Sequence, residues 1–146
     1  GYVNLADTLR QQQDEMAAAQ ALEAGLQRAP GDPDLRHALG LSLVRQGDPG
    51  RALVELRQAA NGAPGNARYA YVYAVALHSG GQTDAALGVL QNGLLRHPAD
   101  AALVSLALSL SLQRNDRSAA RVYARQMLAL DPQNAQVAQL LGQLED

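Results

Sequence analysis

Residues 36–64, "RHALGLSLVRQGDPGRALVELRQAANGAP", decide how this chain is built. Up to Arg45 the apolar residues fall three and four apart: Ala38, Leu39 and Leu43, with Leu35 just before them. Beyond Gly50 the same spacing returns in Ala52, Leu53, Leu56, Ala59 and Ala60. Each run therefore reads as a helix with one apolar stripe. Between them Gly47 can end the first helix in a left-handed conformation, Asp48 can cap the second and Pro49 can occupy its first turn. Pro64 lacks an amide hydrogen and clashes with a preceding helical turn, so it stops the second helix. The stretch is a helix, a tight turn, a second helix and a stop.

The pattern repeats. Pro30, Pro64, Pro98 and Pro132 are each thirty-four residues apart, and other columns appear at that interval. Leu5, Leu39, Tyr73, Ala107 and Leu141 share one offset, and Ala6, Gly40, Ala74, Leu108 and Gly142 follow one place later. Leu9, Leu43, Leu77 and Ser111 form another column. Ala18, Ala52, Ala86 and Ala120 never vary, and Leu22, Leu56, Leu90 and Ala124 lie four places on. A small column beside a large one is what two closely crossing helices need. The turn position holds "GGQT" at 80–83 and "RNDRS" at 114–118, where Asn115 tolerates a left-handed backbone. In the first copy "QQQDEM" carries no glycine, so that turn is the least defined, and Asp14 and Glu15 read as solvated acids.

Composition agrees with an all-α chain. Alanine, leucine and valine supply the core, with five Tyr and two Met, and Ile, Phe, Trp and Cys are absent. The net charge of −2 argues against a nucleic-acid groove or an anionic membrane surface, both of which need concentrated positive charge. Without cysteine there are no disulfides, thiolate nucleophiles or thiolate metal sites. All twelve basic residues are Arg, which points to a GC-rich bacterial source, with the compartment left open between cytoplasm and periplasm. The chain starts at Gly1 without an initiator Met, so a segment of a longer protein is expected.

Written as columns, Leu39-Gly40-x-x-Leu43, Ala52-x-x-x-Leu56 and Pro64 resemble the tetratricopeptide repeat, whose pattern is W-x-x-L-G-x-x-Y, A-x-x-x-F and P at the same period. The resemblance covers the whole chain as one domain: repeats 1–32, 33–66, 67–100 and 101–134, then a lone helix at 135–146. It implies a right-handed α-α superhelix in which each pair buries its neighbour's apolar face. The column usually held by Trp contains Tyr2, Arg36, Ala70, Val104 and Ala138. Ala107, Ser111 and Ala124 predict a fourth pair packed less tightly, partly compensated by Leu108, Leu110 and Tyr123. In the last helix Val137, Leu140, Leu141 and Leu144 are expected to cover the fourth pair, with Gln136, Gln139, Gln143 and Glu145 in water.

Groups able to do chemistry are scattered. His37, His78 and His97 lie apart, and only His37 has a carboxylate one helical turn away, Asp34, which is too few ligands for a metal. Gly80-Gly81 belongs to a turn, not a phosphate loop, and Ser105, Ser109 and Ser111 have no His or Asp in register for nucleophilic catalysis. The reading is a non-enzyme with no cofactor and no metal.

The family resemblance implies a concave groove lined by the first helices. Matching its ligand-facing columns gives Val3, Asp7, Arg10 and Gln11, then Asp34, His37, Leu41, Val44 and Arg45. The third copy supplies Arg68, Tyr71, Val75, His78 and Ser79, the fourth Ala102, Ser105, Ser109, Leu112 and Gln113, and the last helix Gln136, Gln139 and Gln143. Leu41, Val44, Tyr71, Val75 and Leu112 make an apolar stripe, flanked by Arg45, Arg68, His37, His78 and the Tyr71 hydroxyl. That mixture suits an extended or helical peptide, or else fills tight curvature or serves self-association. Alternation of Tyr69, Tyr71 and Tyr73 predicts Tyr69 and Tyr73 in the core and Tyr71 exposed as a hot spot. The clamp by which some tetratricopeptide domains hold the acidic tails of heat-shock chaperones is missing, since only Arg68 matches it. The expected function is a protein-interaction scaffold for a protein or peptide partner, with no nucleic acid and no membrane insertion. The alternatives are a spacer in a longer array, including a homo-oligomer, or an appendage of a larger protein. Residues 68–81 also resemble modules joined to bacterial multihaem cytochromes, although no haem-attachment motif is present.

Overall fold

The computed structural model, which describes residues 1–146, contains nine α-helices and no strand. They are α1 (Tyr2–Gln11), α2 (Glu15–Arg28), α3 (Pro33–Arg45), α4 (Pro49–Gly62) and α5 (Ala67–Ser79), then α6 (Thr83–Arg96), α7 (Ala101–Gln113), α8 (Arg117–Leu130) and α9 (Ala135–Glu145). The turns within pairs are set by four residues in the left-handed region: Gln13 at φ 63°, Gly47 at 78°, Gly81 at 83° and Asn115 at 56°. They too are thirty-four residues apart, so the first turn is built like the others, with a glutamine where glycine is easiest. Asp14, Asp48 and Asp116 then cap α2, α4 and α8 by accepting the backbone N–H of Ala17, Arg51 and Ala119. Pro30, Pro64, Pro98 and Pro132 each stand two places beyond the end of α2, α4, α6 or α8.

Two compact units divide the chain, Gly1–Ala76 and Leu77–Asp146. In the first, α1 packs on α2, α2 on α3 and α3 on α4, and α1 also meets α3. Its core runs through Ala18, Leu22, Leu39, Leu43 and Ala52. Gly40 permits a close crossing of α3 and α4: a Cβ there would lie 2.6 Å from Leu56 Cδ2 and 2.7 Å from its Cγ. Polar ties cross between helices as well. Arg36 donates to the Pro30 carbonyl at 2.8 and 3.1 Å and to Glu55 at 2.8 Å, doing with hydrogen bonds what an aromatic ring does by packing. Arg51 reaches back from α4 to Glu23 on α2 at 3.3 Å. Leu5 is 49% exposed, whereas Leu39 at the equivalent position is buried in the core with Ala18 and Leu22 of α2.

In the second unit α6 packs on α7, α7 on α8 and α8 on α9. Ala107, Ser111 and Ala124, the small residues of the fourth pair, are wholly buried. Side-chain sizes are exchanged between facing columns. Where Gly40 faces Leu56, the equivalent positions hold Leu108 and Ala124, so the volume moves from one helix to the other instead of being lost. Helix α9 buries Val137 and Leu144, half-buries Leu140 and Leu141, and leaves Gln136, Gln139 and Gln143 in solvent. Three arginines one turn apart on α8 fasten its carboxyl end. Arg117 donates to the carbonyls of Gln143 and Leu144, Arg121 to that of Leu144, and Arg125 pairs with Glu145.

Candidate functional site

Helical spacing brings Val3, Ala6, Asp7 and Arg10 of α1 to one stripe, and Asp34, His37, Ala38, Leu41 and Arg45 of α3 to another. Together with Ala18 and Leu22 beneath and Arg68 and Tyr69 of α5 at one side, they line a cavity of about 620 Å³ in the first unit. Its floor is aliphatic, and its charged groups are three arginines and two aspartates.

Those charges differ in how they are engaged. Arg45 grips Glu15 through two contacts, Nη2 to Oε1 at 2.9 Å and Nε to Oε2 at 3.0 Å, while the Ser42 hydroxyl donates to Glu15 at 2.7 Å. The Arg45 hydrogen bond is the main reason the Glu15 carboxyl sits below its ordinary pKa, against the effect of burial. Arg10 lies 3.8 Å from Asp7, a loose and exposed pair. Asp34 accepts the Tyr69 hydroxyl hydrogen bond. Arg68 donates its backbone N–H to Asn66, and its exposed guanidinium has no carboxylate partner.

His37 departs most from expectation. It was expected at the polar margin, but only 8% of it is exposed. The Tyr69 ring stacks over its imidazole with centroids 4.1 Å apart and 18° between planes, anchored there by the hydrogen bond to Asp34. His37 Nδ1 is buried without a partner. Burial first, and then the nearby positive Arg68, push the His37 pKa down, with Asp34 opposing. Burial and the bond to Asp34 push ionisation of the Tyr69 phenol up.

The aromatic wall of the cavity is thus Tyr69. Tyr71 and Tyr73 are both half-buried, so the tyrosine alternation does not sort them into an exposed and a core residue. Val44 and Val75 are 49% and 37% exposed on α3 and α5, outside the cavity lining. In the second unit His78 is half-buried, its Nδ1 2.9 Å from Thr83 Oγ1 across the α5–α6 turn. Ser105, Ser109 and Gln113 are exposed on α7 and Leu112 is half-buried. Sequence reading treated Glu15 as solvated and Tyr69 as plain core. Both are polar anchors for the cavity, formed with residues about thirty places away that no local pattern connects to them. No cluster of three metal-ligating side chains forms, and no helix is long and apolar enough to cross a membrane.

The tetratricopeptide-repeat family model matches residues 43–110. Among solved structures, a tetratricopeptide repeat protein from Parabacteroides merdae is 20% identical over 98% of this chain and 57% of its own, with a TM-score of 0.84. MamA from Desulfovibrio magneticus is 22% identical over 99% of this chain and 81% of its own, with a TM-score of 0.77. YrrB, described as a tetratricopeptide protein with an unusual peptide-binding site, is 19% identical over 95% of this chain and 72% of its own, with a TM-score of 0.75. No curated protein matches by sequence. The fold is one that commonly mediates protein–protein interactions. The tetratricopeptide sequence signature thus falls on residues 43–110, and the chain from α1 to α9 has the all-α fold of tetratricopeptide-repeat structures.

Proposed function

We propose that this chain is a non-catalytic scaffold that binds a peptide or helix of a partner protein, and that the α1–α3–α5 cavity is where the partner enters. The observation that carries this reading is the cavity itself: about 620 Å³, floored by Val3, Ala6, Ala18, Leu22, Ala38 and Leu41 and bordered by charged side chains. An apolar floor with a polar border holds a side chain by burial and sets its direction by charge. The reading accords with YrrB, which shares the fold and is described as having a peptide-binding site. Within the first unit, the expected contacts Val44, Tyr71 and Val75 extend the proposed surface beyond the cavity.

The test is selection from a random library of about twelve-residue displayed peptides, a length that spans such a cavity. Wild-type protein should enrich a recurring sequence, and Leu41→Asp, which puts a charge on the half-buried floor, should abolish the enrichment while leaving the helical signal intact. If both proteins enrich the same peptides, the cavity is not the binding site. A second reading, self-association, draws on half-exposed Leu5, which another helix pair could cover. Light scattering that shows a monomer at high concentration would remove it.

A further inference from the structure

The cavity's charges are not equally available to a ligand. Arg45 is occupied by Glu15, Arg10 faces Asp7, and Asp34 is bonded by the Tyr69 hydroxyl, whereas Arg68 holds no carboxylate. Arg68 also stands in the first turn of α5, at the positive end of the helix dipole, where its own N–H is capped by the neutral Asn66 side chain and no charge offsets the dipole. That turn contains no acidic residue, while the equivalent turn of α3 has Asp34. A cation at the amino end of a helix is placed against the dipole, and an anion beside it relieves both.

A second observation comes from the cavity wall. His37 lines the cavity, is more than nine-tenths buried and has an unpartnered Nδ1. Arg68 is near enough to that imidazole to oppose its protonation, while Asp34 favours it. The α5 side of the cavity thus presents an arginine that no carboxylate neutralises, and such a cation beside an aliphatic floor selects a ligand carrying both an acid and an apolar group.

We propose that the peptide entering this cavity is anchored by an acidic side chain set against the Arg68 guanidinium and the amino end of α5, with a neighbouring apolar side chain over Leu41 and Val3. This rests on the peptide-binding reading above and specifies the partner's chemistry: an acidic residue beside an aliphatic one, inside a segment, with no need for a free carboxyl terminus. Arg rather than Lys suits the task because its planar fork can meet a carboxylate with two hydrogen bonds.

The same library selection tests it. Peptides enriched by the wild type should share an Asp or Glu next to Leu, Ile, Val or Met. One such peptide, synthesised with acetylated and amidated ends, should lose roughly tenfold or more in affinity when its acid becomes the amide, and that difference should disappear against Arg68→Gln. Affinity for the acidic form should also fall as salt is raised. Arg68 is exposed, so the variant keeps its fold, which the helical signal verifies. Enriched peptides without acids, or undiminished binding by Arg68→Gln, would overturn the anchor while leaving peptide binding standing. If no peptide is enriched at all, both readings fall.

Discussion

Exchanging side-chain volume between facing helices should be tolerated where changing one side alone is not. Gly40 and Leu56 are the sharpest place to try it. A methyl group on Gly40 would sit 2.6 Å from Leu56 Cδ2 and 2.7 Å from Cγ, about an ångström inside ordinary contact. Leu56 is wholly buried and cannot swing aside. Overpacking of this kind costs about 1–3 kcal/mol, and replacing glycine in a helix returns about 1 kcal/mol, so Gly40→Ala should lose up to about 2 kcal/mol. Gly40→Leu should lose more. Leu56→Ala alone should cost about 2–5 kcal/mol through lost burial and the cavity left behind. The double variant Gly40→Leu/Leu56→Ala reproduces the arrangement of Leu108 and Ala124, in which the bulk comes from the other helix. It should be more stable than the sum of the two losses implies, by about 2 kcal/mol or more. Guanidinium denaturation followed by far-ultraviolet circular dichroism would measure all four proteins. Simple additivity in the double variant would refute size exchange as the reason Leu108 and Ala124 are both buried.

Three further outcomes are expected. The Ser111 hydroxyl is buried without a partner, so Ser111→Ala should raise stability by about 1 kcal/mol, and a destabilised variant in the same denaturation assay would reveal an unrecognised bond. His37 has a folded pKa below its ordinary 6.5, so the unfolded chain takes up the proton first as the pH falls. Its stabilisation is complete above 6.5 and is lost as the pH falls from there toward the folded value; the lowered Glu15 acts in the same direction below 4.5. Wild type should therefore melt lower at about pH 5.5 than at about pH 7.5, and His37→Leu should flatten that difference. Equal slopes in the two proteins would dissociate the effect from His37. Removing residues 135–146 uncovers the face of α8 that packs on Val137 and Leu144 and should cost several kcal/mol, at about 1.5–3 kcal/mol per buried aliphatic side chain. Amide exchange in α8 as slow as in the intact chain would deny the covering role.

The helices were legible because their signals are local. Gly47, Asp48, Pro49 and Asn115 announce their turns by chemistry that few other residues supply, and the prolines mark the ends of the second helices. Gln13 gave no such notice, since glutamine has no particular preference for a left-handed backbone; only its place in the period identifies it. The cavity was legible as two stripes on α1 and α3 but not in its details. Whether His37 is covered depends on how far Tyr69 reaches from another helix, and whether Arg45 is free depends on Glu15, thirty residues earlier. Periodicity reports which face a side chain leaves from. It does not report what meets it there.

The cross-ties in the first unit have a mechanical consequence. Glu15 on α2 holds Ser42 and Arg45 on α3, Glu23 on α2 holds Arg51 on α4, and Arg36 on α3 holds both the Pro30 carbonyl and Glu55. A pull on the two ends of the chain would load these links together, so α2, α3 and α4 should yield in one step. The segment that tears loose under tension is then offset from the segment that recurs in the primary structure.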